Sequence, residues 1–130
     1  MAAIEGVITV IGRKKLCEAH AGKRTLPKIS GMAWGDGGTD GDGTPKTVTG
    51  QEKSMYNQLL KKEVNDPTFK NDEHTTAVYS ATLESGDLVG KYISELALFD
   101  EEGDMIAYQT FLKKGKDEGM PQRYDMEEIF

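Results

Sequence analysis

The stretch KYISELALFDEEGDMIAYQTFL, residues 91–112, decides the fold. Two apolar, β-prone runs flank Asp100-Glu101-Glu102-Gly103-Asp104. Gly103 is free to take the positive φ that a short loop between paired strands needs. The pattern predicts a β-hairpin. Within its first arm, Glu95 alternates with apolar neighbours in ISELALF, which directs its carboxyl toward a sheet face. An acid in that position more often makes a structural hydrogen bond than serves as a general base.

On the N-terminal side of the hairpin, TTAVYSATLES (75–85) alternates as a strand, with Ala77, Tyr79, Ala81 and Leu83 on one side. Asn65-Asp66-Pro67 punctuates the chain before it. Further back, Thr49 and then Glu52 match a capping box. Met55, Tyr56, Leu59 and Leu60 give one apolar face, so a helix is predicted after Thr49. A short strand is expected after Pro27 in RTLPKISGMAW. An earlier helix in KKLCEAHAGK ends near Ala21, with Gly22 at the capping position. Ile4 to Ile11 reads equally as helix or strand. The charged segment from Lys113 to Phe130 ends in Tyr124, Met126, Ile129 and Phe130, either a final strand or residues that dock on a partner, with 121–130 as the docking tail. No internal repeat is present. The expected fold is a single α+β domain over 1–130: two helices packed on a mostly antiparallel sheet, with a prominent C-terminal β-hairpin.

Between Gly35 and Gly43 every residue is Gly, Asp or Thr, which raises the question of phosphate or calcium. A phosphate loop of the G-x-x-x-x-G-K-[ST] type needs glycine before its lysine, and here Pro45 precedes Lys46-Thr47. The G-x-G-x-x-G pattern from Gly35 and Gly37 ends on Asp40. Asp36, Asp40 and Asp42 are hard oxygen ligands suited to calcium. Aligned as an EF-hand from Asp36, the loop has Gly41 in place but Gly38 at the third position and Thr47 where the bidentate Glu belongs. A turn is the simpler reading, and no metal ligand is assigned. A small divalent-metal-binding protein using loop 35–43 stands as the alternative.

Nothing else suggests catalysis. His20 and His74 lie in different elements without metal-ligand spacing. Cys17 shares a helix face with His20, whereas a nucleophilic cysteine usually takes its base from another element, so it reads as a small buried residue. The expectation is therefore no enzyme, no catalytic residue and no cofactor. At 130 residues with 37% apolar and 29% charged side chains, the composition suits one folded domain. A net charge of −6 argues against a nucleic-acid partner. No run approaches the ~20 apolar residues of a membrane span. The first residues carry Glu5 where a signal peptide needs positive charge, so a soluble, cytosolic chain is expected unless a partner carries it elsewhere.

Four pieces in order carry a resemblance: KKLCEAHAGK, ISGMAWGDGG, QEKSMYNQLLKKEV and ISELALFDEEGDMIAYQTF. Together, over roughly residues 9 to 114, the sequence resembles the N-terminal attachment domain of phage tail-collar and tail-fibre proteins, found in phages, prophages and phage-derived bacteriocins. The resemblance implies a virion structural protein that anchors a fibre or collar to the tail baseplate through protein–protein contacts. It implies a homo-oligomer, usually a trimer, made in the host cytoplasm and incorporated in the tail. It assigns Gly35, Asp36 and Gly37 as loop-shaping positions, and Glu95, Phe99, Asp100 and Gly103 as hairpin positions. The receptor-binding shaft that the resemblance implies has no counterpart in these 130 residues, which leaves a short adaptor, a minimal baseplate component or a prophage remnant open.

Overall fold

The structure, a computed structural model, describes residues 3–130. Two short strands, β1 (Ile4–Glu5) and β2 (Val7–Ile8), lead into α1 (Val10–His20). Then come β3 (Ile29–Gly35), β4 (Gln58–Glu63), β5 (Thr68–Phe69) and β6 (Thr76–Leu83). The chain ends with β7 (Tyr92–Asp100), β8 (Met105–Gly115) and β9 (Gln122–Ile129). The strands form a four-stranded sheet in the order β1-β9-β6-β5 and a five-stranded sheet in the order β2-β8-β7-β3-β4. All pairings are antiparallel except β1 with β9.

The fold is therefore mostly β, and the expectation of two helices on a single sheet is corrected. Among the described residues α1 is the only helix. The carboxylate half of the Thr49–Glu52 capping box does form: the Glu52 carboxylate accepts from the Thr49 and Gly50 N–H groups at 2.9 and 2.8 Å, while the Thr49 hydroxyl accepts from the Gln51 N–H at 3.1 Å. No helix grows from this cap. The N–H groups of Tyr56 and Asn57 donate to the Glu95 carboxylate instead of to carbonyls four residues back. Residues 58–63 then pair with β3 as an edge strand. Tertiary partners have overridden a local helix signal.

One core joins the two sheets. Met32, Trp34, Leu96 and Leu98 of the five-stranded sheet meet Ala81, Leu83, Tyr124 and Met126 of the four-stranded one. Trp34 packs edge-to-face on Tyr124, with ring centroids 6.1 Å apart. The opposite face of the five-stranded sheet carries a smaller cluster of Ala33, Ala97, Met105 and Tyr108, covered by Val48 and Met55. Burial of one full Leu-sized side chain is worth about 1.5–3 kcal/mol, so the shared core dominates the stability. Tyr124 and Met126 are fully buried in it.

Helix α1 lies against β8. Thr9 caps it, its hydroxyl accepting from the Gly12 N–H at 3.1 Å and donating to the Met105 carbonyl at 2.7 Å. One side chain thus satisfies a helix-end donor and ties the helix to the sheet. Cys17 is exposed on α1, contrary to the buried position expected from the sequence.

The turn between β7 and β8 places Gly103 at φ 89°. Gly103→Val is expected to destabilise the protein by about 1–3 kcal/mol, because a β-branched side chain is strained there. Chemical denaturation would measure the loss; an unchanged midpoint would contradict it.

Candidate functional site

The glycine loop does wrap an anion, and the anion belongs to the chain itself. The Glu95 side chain is fully buried. Its Oε2 accepts from the N–H groups of Gly37 at 2.9 Å and Asn57 at 2.8 Å. Its Oε1 accepts from the Tyr56 N–H at 2.9 Å and the Tyr108 hydroxyl at 2.6 Å. Four donors replace the water that a buried carboxylate has lost. Burial, and after it the hydrogen bond to Glu95, pushes the Tyr108 hydroxyl well above the usual tyrosine range. The glycines allow the close approach: a Cβ on Gly37 would lie 2.7 Å from the Tyr56 Cβ, and one on Gly35 would run into the Asn57 carbonyl and the Glu95 carboxylate.

The three loop aspartates face three separate partners. Asp36 accepts from the Asn57 side-chain amide at 2.6 Å, Asp40 pairs with Lys46 at 2.8 Å, and Asp42 accepts from the Thr44 N–H at 3.0 Å. They do not converge on a common point.

A second polar knot ties α1 to the hairpin turn. The buried Lys15 ammonium sits 2.6 Å from Asp100, 2.8 Å from Glu102 and 2.7 Å from Asp104. Asp100, itself buried, also accepts from the N–H groups of Glu102 and Asp104 at 3.0 Å. Burial works to lower the Lys15 pKa, but its bonds to Asp100, Asp104 and Glu102 outweigh that and hold it above the usual lysine range. Bonds from Lys15 and then Arg24 hold the Glu102 carboxyl below its ordinary value. These three acids are spaced closely enough to ligate an ion, but an ammonium already fills the space between them. Phe99, half-buried on the same strand, lies under the Lys61 ammonium at 4.5 Å. Sequence reasoning missed Lys15, because a lysine on a short helix reads as a solvated charge.

With Glu95 and the acids of the glycine loop and hairpin turn committed internally, what the molecule offers outward is surface. The candidate docking residues divide. Tyr124 and Met126 belong to the shared core, while Ile129 and Phe130 stand exposed at the end of β9. Beside them a groove of about 700 Å³ opens between α1, the segment before β3, the end of β4 and the end of the four-stranded sheet. Leu26, Pro27, Val64, Pro67 and Phe130 supply apolar parts of its lining. No helix of the described residues is long and apolar enough to cross a membrane.

A family model for the N-terminal region of phage tail-collar fibre proteins matches residues 1–125. That is nearly the whole chain, and the chain belongs to this family. Its place is thus among the proteins of the phage tail, whose partners are other tail proteins. No curated protein and no solved structure matches it.

Proposed function

We propose that the chain attaches a fibre or collar to the tail baseplate through protein–protein contacts, with no catalytic step of its own. The observation that carries this reading is the family match across residues 1–125. The internal pairing of Glu95, Lys15 and Asp100 is in keeping with it, since these groups hold loops rather than present chemistry. Gly35, Asp36, Gly37, Glu95, Phe99, Asp100 and Gly103 act in this reading as shaping positions for that frame. Ile129 and Phe130 are the docking residues, carried on a strand whose Tyr124 and Met126 anchor it in the core. The chain works as a homo-oligomer, a trimer by the family resemblance. It assembles in the bacterial cytoplasm and remains in the virion tail, of a phage, a prophage or a phage-derived bacteriocin.

The test uses two substitutions together, Ile129→Asp and Phe130→Asp. Both side chains are exposed, so stability is expected to stay within about 0.5 kcal/mol of the parent. Affinity isolation from cells producing particles should recover baseplate or fibre proteins with the parent chain and lose them with the double variant. Undiminished recovery would move the docking surface elsewhere.

A further inference from the structure

The inward row of β9 does not end on a hydrophobic residue. Tyr124 and Met126 point into the shared core, and two residues on, in the same alternating row, stands Glu128. Only 6% of it is exposed. Its one protein partner is the Tyr79 hydroxyl, at a long 3.4 Å to Oε1. The second oxygen accepts no hydrogen bond from the described residues, and the side chain lines the groove. Burial pushes the Glu128 carboxyl up, only partly offset by the bond from Tyr79. Glu95, fully buried, has four donors. The second oxygen of Glu128 is not enclosed but opens on the groove, so water there stands in for donors that a partner's side chain could supply instead.

The groove around it has the complementary character. Glu63 and Asp66 also line it and, among the described residues, pair with no cation. Lys15 lines it too, but its charge is taken up by Asp100, Glu102 and Asp104. Lys28 alone is set against the three acids. Apolar lining with one buried acid, Glu128, and two exposed ones, Glu63 and Asp66, suits a segment that carries both apolar and cationic side chains. Arginine fits best, because its fork can satisfy both oxygens of one carboxylate.

We propose that this groove seats a basic, apolar-flanked segment of the tail protein to which the domain attaches, with a cationic side chain paired to Glu128. The inference rests on the attachment reading and names the chemistry of the partner.

The probe is a fluorescein-labelled hexapeptide, acetyl-LRLLRL-amide, titrated against the full chain by fluorescence anisotropy. A counterpart carries citrulline, the neutral isostere, in place of each arginine. Saturable binding is expected for the arginine peptide, at least tenfold weaker for citrulline and at least tenfold weaker for Glu128→Gln. Glu73→Gln, an exposed acid outside the groove, should bind like the parent. Absence of saturable binding to the parent, equal affinity of the two peptides, or undiminished affinity in a folded Glu128→Gln would overturn the proposal. The citrulline comparison needs no variant and so stands whatever the substitution does to folding. Incorporation into purified tails is measured in parallel. Intact incorporation with failed peptide binding removes only the groove assignment, whereas a chain absent from tails removes the attachment reading too.

Discussion

Replacing Glu95 by Ala is expected to cost on the order of 4 kcal/mol, a large effect for a single substitution. It leaves the N–H groups of Gly37, Tyr56 and Asn57 and the Tyr108 hydroxyl without their acceptor. Each buried orphan donor costs about 1–3 kcal/mol, and water entering the vacated space returns part of the sum. Against a total stability of about 5–15 kcal/mol this is a large fraction. At roughly 3 °C per kcal/mol for a chain of this size, the thermal midpoint should fall by about 10 °C or more. Glu95→Gln keeps one acceptor oxygen and should lose about half as much. A second readout separates this from a general loosening of the core. In Glu95→Ala the Tyr108 hydroxyl loses one of the causes that hold it up, so its ultraviolet titration should move down toward the ordinary tyrosine range. A variant that melts within two or three degrees of the parent would show that the loop is held by something else.

Lys15→Met is expected to cost about 3–5 kcal/mol, the range for removing one partner of a buried ion pair. Met keeps the length and apolar stem but leaves Asp100, Glu102 and Asp104 crowded together without a cation. Its signature is a change in pH dependence. In the parent, the Glu102 carboxyl is held below its ordinary value, first by Lys15 and then by Arg24. A group depressed on folding adds stability above its unfolded pKa of about 4.3, and that contribution is lost as pH falls through the folded value. Asp87, lowered chiefly by its bond from Lys62, acts in the same direction. The parent should therefore lose stability below about pH 4. Lys15, raised on folding, adds stability below its unfolded pKa of about 10.4, and that is lost only in strong alkali. In Lys15→Met the three acids repel one another, so protonating them relieves the repulsion. The raised Glu128 carboxyl contributes equally to both proteins, so between pH 7 and pH 5 the variant should gain stability relative to the parent. Parallel pH curves for the two proteins would contradict this role for Lys15.

The hairpin is legible in the sequence because its signal is local: two alternating runs around a turn with glycine where φ is positive. Strand β6 is legible for the same reason, with Tyr79, Ala81 and Leu83 turned toward the core. The predicted second helix fails on a contact that no local window contains. Glu95, some forty residues downstream, takes the N–H groups of Tyr56 and Asn57 that a helix would have used. Leu59 and Leu60 fit the apolar face of a helix, yet both pack on the core from an edge strand. Strand β9 is half hidden because Asp125, Glu127 and Glu128 make its sequence look solvated, while Tyr124 and Met126 carry the alternation. Strands β1 and β2 are two residues each, too short for any period to show. The glycine loop poses the right question about an anion, but the one it wraps is internal, which a search for ligand motifs does not reveal.

Cross-linking mass spectrometry on purified, assembled tails tests attachment most directly. The chain should be present in every preparation, and Lys28, on the rim of the groove, should link to baseplate or fibre proteins. Tails that are complete without the chain, or that contain it without any link to another tail protein, would contradict its role as an attachment protein.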